Sequence, residues 1–205
     1  VATELADQGL VLDSFQIKDI TDAVGYIESL GVPQVQAWED VQCPACKSFE
    51  DSGSADALDA AAEAGEINLQ LRPTIFLDNN LPQSKNSSAL ATNAWGCAIN
   101  AGKPLEYQNG VYDIQPANEG TGFTEQQLLD LGKTVGITGD AYTTFESCVK
   151  SKQFAGWVAN SQEQFVSGEV KGTPAIYVNG KELENKVGLY GDPVQLLAAI
   201  NAAAK

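Results

Sequence analysis

Cys43 and Cys46, in the run Cys43-Pro44-Ala45-Cys46, are two thiols close enough in sequence to form and break a disulfide with each other. Chemistry of that kind is electron exchange: a thiolate attacks a disulfide sulfur and the bond passes to another molecule. The flanking chain bears on whether the pair is labile. Val32 to Trp38 reads as a buried strand, and Lys47 to Ala64 is Ala-rich and helical up to Gly65, so the motif stands where a strand gives way to a helix. Pro44 suits the first helical position, where its missing N–H is no loss, and this leaves Cys43 beside unpaired backbone N–H groups. The helix dipole favours a thiolate there by about 0.3–1 kcal/mol, less than one pKa unit. An inert small-loop disulfide and half of a zinc site are the competing readings. Four-cysteine zinc sites normally bring two close pairs, and the remaining cysteines, Cys97 and Cys148, stand apart.

The rest of the composition narrows the chemistry. Histidine is absent from all 205 residues. That excludes Ser-His-Asp and Cys-His hydrolases and His-ligated zinc, iron and copper, so neither a metal nor a cofactor is expected and Cys is the main nucleophile left at neutral pH. Acidic residues outnumber basic ones 27 to 12, for a net charge of −15 and a pI near 4.2. This balance opposes binding to nucleic acid or to an anionic membrane, and reads as solubility. There is no run of about 18 apolar residues and no initiator Met, so neither a transmembrane helix nor a signal peptide is present in these residues. At 43 % hydrophobic the chain can fill one substantial core with an inserted subdomain.

An even number of cysteines suits an oxidising compartment. Pairing Cys97 with Cys148 would close a loop of about 52 residues, which the chain-entropy model values at roughly 4 kcal/mol. A structural disulfide is the reading preferred for them, with a second redox pair or two free buried thiols as alternatives.

Residues 1–30 read as an N-terminal extension, with apolar-polar alternation from Leu10 to Ile17 and then a helix through Ile20, Val24 and Ile27. Ile67 to Arg72 alternates with period two as a second strand, and Pro73 with the Asn79-Asn80-Leu81-Pro82 turn leads out of it. Residues 85–165 form a helical insertion. It holds a helix over Ser88–Ala101 with Trp95 and Cys97, a Thr124-x-x-Gln127 capping box before Leu128, Leu129 and Leu131, and a helix opened by Asp140 that carries Phe145 and Cys148. A further helix from Gln153 to Phe165 returns the chain, with Trp157 in the core. Asn179-Gly180, between Ala175–Val178 and Lys181–Leu183, signals a hairpin whose first strand begins just after Pro174. Asp192-Pro193 opens a last helix expected to bury Val194, Leu197 and Ile200.

Cys43-Pro44-Ala45-Cys46-Lys47-Ser48-Phe49-Glu50 taken with Gly172-Thr173-Pro174-Ala175-Ile176-Tyr177-Val178-Asn179-Gly180 resembles the DsbA-like thiol-disulfide oxidoreductases, over residues 32–205. The resemblance implies an α/β chain: a thioredoxin-like fold with an inserted all-helical subdomain, the thioredoxin-like part being residues 31–84 and 166–205. It implies that Cys43 is the exposed sulfur, Cys46 its buried partner and Pro44-Ala45 the active-site dipeptide. It further implies a cis Thr173–Pro174 bond whose loop faces the motif and binds substrate backbone. The implied activity is oxidation of unfolded or reduced exported proteins, with reoxidation by a membrane quinone-linked partner. The implied setting is extracytoplasmic, in the periplasm or cell envelope, with any membrane anchor in an N-terminal segment absent here. A reductase or isomerase in the same compartment, or a non-enzymatic binding module with two structural disulfides, remains open. The chain departs from the pattern twice: Ala45 stands where many relatives have His between the cysteines, and Ala37 stands where a buried acid is common six residues before the first cysteine. Glu39 or Asp40 would then have to serve as the proton relay. Glu39, Asp40, Glu50 and Asp51 are expected to raise the Cys43 pKa by like-charge repulsion, with Lys47 the only close cation, so a weaker oxidant than a His-bearing relative is expected.

Overall fold

Among the described residues four strands, numbered along the chain, form one sheet in the order β2-β1-β3-β4. A computed structural model describes residues 31–84, 86–184 and 186–204, and the expected strand and helix within residues 1–30 lie outside the described residues. β1 (Gln34–Glu39) pairs in parallel with β2 (Asn68–Pro73) and antiparallel with β3 (Ala175–Val178). β3 turns back into β4 (Lys181–Glu182) with Val178 opposite Lys181. The two-residue turn between them is Asn179-Gly180, with φ +49° and +80°, the positive pair that twists correctly for a hairpin and that Asn-Gly supplies at low steric cost.

Period-two alternation sends β1 side chains to two faces. Val35 and Ala37 join Ile176 and Val178 of β3 in a cluster with Phe49, Leu58, Leu196 and Ile200. On the other face Trp38 packs with Phe165, Val170 and Ala175. The first face is covered by α1 (Pro44–Asp51), α2 (Ser54–Glu63) and the terminal helix, which bury Phe49, Leu58 and Leu196 there. The single helix expected after the motif is broken, because Gly53 takes φ +79° at the N-cap of α2.

Beyond β2 come α3 (Phe76–Asn80) and, past a short 3-10 turn, α4 (Ser87–Asn100), α5 (Pro104–Asp113), α6 (Glu125–Thr134), α7 (Gly139–Ser151) and α8 (Ala155–Ser167). α5 went unread in the sequence although Pro104 stands at its first turn. The Thr124 capping box is present in full, the Thr124 hydroxyl accepting from Gln127 N–H and the Gln127 side chain accepting from Thr124 N–H. These helices enclose a second cluster around Trp95, Tyr107, Leu128 and Phe145. After β4 follow α9 (Lys186–Leu189) and α10 (Pro193–Ala203), where Asp192 caps the first turn. α10 buries Leu196 and Ile200 fully and packs the half-buried Leu197 against the same cluster, but Val194 is 78 % exposed. The inward face therefore runs through 196 and 200 and not through 194 as expected, since residues four apart share a helix face.

Candidate active site

The segment between β1 and α1 is fixed before either sulfur is considered. Asp40 C=O accepts from Cys43 N–H at 2.9 Å, and the Asp40 carboxylate accepts from Gln42 N–H, Ser88 Oγ and Leu77 N–H. Gln42 reaches on to Asp78 and Ser88, while Gln115 donates to the carbonyls of Val41 and Cys43. Two parts of the chain distant in sequence thus hold this turn, residues 77–88 through its side chains and Gln115 through its carbonyls.

Cys43 occupies the N-cap of α1 with Pro44 at the first helical position, as read from sequence. Both thiols are free. Cys46 is wholly buried and Cys43 is only 7 % exposed, so the sulfur expected to be exposed is recessed, though less deeply than its partner. Both belong to the apolar cluster of the inserted helices. The Thr173–Pro174 bond is cis, and Cys43 Sγ lies 3.5 Å from the Thr173 carbonyl oxygen. Ala45, Ser48, Phe49, Thr173, Pro174, Tyr190 and Gly191 line a groove of about 400 Å³ beside the pair. Tyr190, which the sequence reading did not single out, is held there by a hydrogen bond from Ile176 N–H to its hydroxyl.

The Cys43 thiol is lowered to about 6, which corrects the expected rise. The hydrogen bond from the Cys46 thiol contributes most; burial opposes it, and Thr173 and the N–H groups of Cys46 and Ala45 add to it. The like-charge repulsion expected from the acids is outweighed, and it is weakened for separate reasons. Burial pushes Glu39 well above the usual carboxylate range and Glu50 up to about 7, so neither carries a full charge at neutral pH. Asp51 pairs with Lys47 at 3.0 Å. Asp40 spends its oxygens on the turn and on Ser88, and is itself raised to about 7 by burial. Cys46 is pushed well above the usual thiol value by burial first and then by its hydrogen bond to Cys43. One thiol of the pair is thus readily ionised and the other is not.

Of the two acids named for proton transfer, Glu39 bears electrostatically on both sulfurs. It is 6 % exposed and accepts from Tyr112 Oη at 3.1 Å. Tyr112, Gln108 and Gln115 were not singled out from sequence; the signal available for Tyr112 and Gln108 was helical spacing after Pro104. Cys97 and Cys148 form a disulfide between α4 and α7, Cα to Cα 5.8 Å. Trp157 is half-buried, packs on Trp95 and lines a groove with Arg72 and Gln164. Among the described residues no group of three His, Cys, Asp or Glu side chains could hold a metal, and no helix is long and apolar enough to cross a membrane.

The solved structures that share this architecture include the MdbA thiol-disulfide oxidoreductase of Actinomyces oris, at 20 % identity and TM-score 0.68 over 84 % of this chain and 81 % of that one. BdbD of Bacillus subtilis aligns at 20 % identity and TM-score 0.65 over 84 % and 87 %. DsbA of Mycobacterium tuberculosis aligns at 24 % and 0.64 over 84 % and 83 %. These likenesses show a common fold, that of DsbA-type proteins. Among curated proteins the serine/threonine-protein kinase PknE of Mycobacterium tuberculosis is 27 % identical over 198 residues, 92 % of this chain. The chain spans about a third of the length of the kinase sequences it matches, 33 %. The family model described as thioredoxin matches residues 31–191, and the chain belongs to that family.

Proposed function

We propose that the protein is a thiol-disulfide oxidoreductase that donates disulfides to unfolded or reduced exported proteins through Cys43 and Cys46. The observation that carries this reading is the asymmetry of the pair: an ionisable Cys43 at a helix tip beside the cis Thr173–Pro174 loop and its groove, backed by a wholly buried Cys46. A static disulfide needs no such difference between its sulfurs. In the oxidised enzyme a substrate thiolate attacks Cys43 Sγ, the Cys43–Cys46 bond breaks, and Cys46 leaves as a thiolate that takes up a proton. A second substrate thiolate then attacks the substrate sulfur of the mixed disulfide and Cys43 leaves as the stabilised thiolate. The substrate loses two electrons and the enzyme disulfide gains them. Glu39 is the group proposed to give Cys46 its proton. Thr173, Pro174 and the groove hold the extended substrate backbone.

The buried Cys97–Cys148 bond favours an oxidising, extracytoplasmic location such as the periplasm or cell envelope. Reoxidation then falls to a membrane quinone-linked partner. A Cys43 pKa near 6, against roughly 3.5 for the most acidic thiols of this chemistry, favours a milder oxidant. The test is oxidative refolding of a reduced multi-disulfide protein, with the Cys43/Cys46 couple equilibrated against glutathione. Wild type should accelerate refolding and Cys43→Ser should abolish the effect. Efficient insulin reduction without refolding activity would instead mark a reductase. Thiol exchange undiminished in Cys43→Ser would overturn the assignment in favour of a binding module.

A further inference from the structure

Glu39 is sealed from solvent, so a proton it gives to or takes from Cys46 needs a second carrier, and Glu50 stands where one is required. Glu50 lies one turn after Cys46 on α1, partly buried, and its carboxyl is within hydrogen-bonding reach of that of Glu39. α5 holds both acids from adjacent turns: Tyr112 Oη donates to Glu39 at 3.1 Å and Gln108 Nε2 donates to Glu50 at 3.2 Å. No ion pair among the described residues includes either acid. The guanidinium of Arg72, which lines the small cavity beside Glu39, is turned to Gln164 at 2.6 Å and over the Trp38 ring. Two adjoining carboxyls without a cation cannot both ionise cheaply, so they share a proton. Gln108 Oε1 is buried without a protein partner, and turning the amide over would let it accept from a protonated Glu50. The same side chain therefore serves both charge states.

We propose that Glu39 and Glu50 form a two-carboxyl proton pair, in which Glu50 connects the buried acid beside Cys46 to solvent. This rests on the oxidoreductase reading and deepens it. Glu50 touches no sulfur; it is a positioning residue for the proton on Glu39. In the attack of Cys46 on a mixed disulfide at Cys43, Glu39 carboxylate takes the Cys46 thiol proton, the Cys46–Cys43 bond forms, and the departing thiol leaves as a thiolate. Glu39 then passes the proton through Glu50 to water. The ionisable groups acting on the pair include Cys43, Cys46 and Tyr112 at Glu39 and Asp56 and Asp59 of α2 at Glu50.

The experiment is stopped-flow release of glutathione from the Cys43–glutathione mixed disulfide, measured across pH in wild type, Glu39→Gln, Glu50→Gln and the double variant. Glu50→Gln keeps the shape and the Gln108 contact. Glu39→Gln should slow release about tenfold or more and flatten its pH profile. Glu50→Gln removes like charge beside Glu39, so the midpoint of the profile should move down by about one pH unit, and the double variant should match Glu39→Gln alone. Infrared difference spectra should show the protonated-carboxyl band of Glu39 titrating at correspondingly lower pH in Glu50→Gln. A Glu50→Gln profile superimposed on wild type while Glu39→Gln is altered would overturn the role of Glu50 alone. Unchanged Glu39→Gln kinetics would overturn the relay, and exchange surviving in Cys43→Ser would overturn the underlying activity.

Discussion

The ionisation of Cys43 depends on its neighbour more than on the helix that presents it. A helix terminus lowers a thiol by less than a unit, whereas the thiol here falls to about 6, the hydrogen bond from Cys46 contributing most. Titrating the thiolate absorbance should give a midpoint near 6 in reduced wild type, and Cys46→Ala should raise it towards the ordinary thiol value. An unmoved midpoint would return the effect to the helix. The sequence showed which residue ionises but misjudged the direction of its shift. Counting Glu39, Glu50 and Asp51 as charges took no account of burial, which depends on the insertion packing over β1, or of the Lys47–Asp51 pair.

Among the elements, α4 carries a test of packing. A Cβ at Gly96 would stand 2.5 Å from Phe154 Cγ, so the ring closes on the helix only because the side chain is missing. Gly96→Ala should destabilise the protein by about 1–3 kcal/mol, read by denaturant unfolding, even though alanine favours a helix intrinsically. One residue on, Cys97 ties α4 to α7. Replacing Cys97 and Cys148 together with serine should lower the unfolding free energy by up to about 4 kcal/mol while sparing thiol exchange; lost turnover in a folded double variant would refute that separation of roles. Elements with local signals were legible: the Asn179-Gly180 turn, the Thr124 box and the Asp192 cap are decided by neighbouring residues. α5 was missed and Val194 of α10 wrongly turned inward, because which face of a helix is inward depends on a partner far away in sequence.

At the scale of the molecule, burial raises Glu39, Asp40, Glu50 and Asp59 together, Asp59 to about 6. A carboxyl raised on folding favours the native state below its unfolded pKa, and that contribution is lost as pH climbs through the folded value. Between roughly pH 4 and 7 the native protein holds more of these protons than the unfolded chain, and the net charge of −15 adds repulsion in the same direction. The melting temperature of the oxidised protein should therefore fall from pH 5 to pH 8. The reduced protein should fall less, because a depressed Cys43 contributes stability above pH 6 that the disulfide form lacks. A flat or rising curve for the oxidised form would contradict this balance.

Val41, Cys43 and Cys46 share one apolar cluster with Trp95, Tyr107, Leu128 and Phe145. The helices beyond β2 are consequently no detachable ornament on a smaller scaffold. An engineered miniature that joined α3 directly to β3 would strip the sulfurs of their dry wall, wet Glu39, and leave a thiol pair without its difference in acidity.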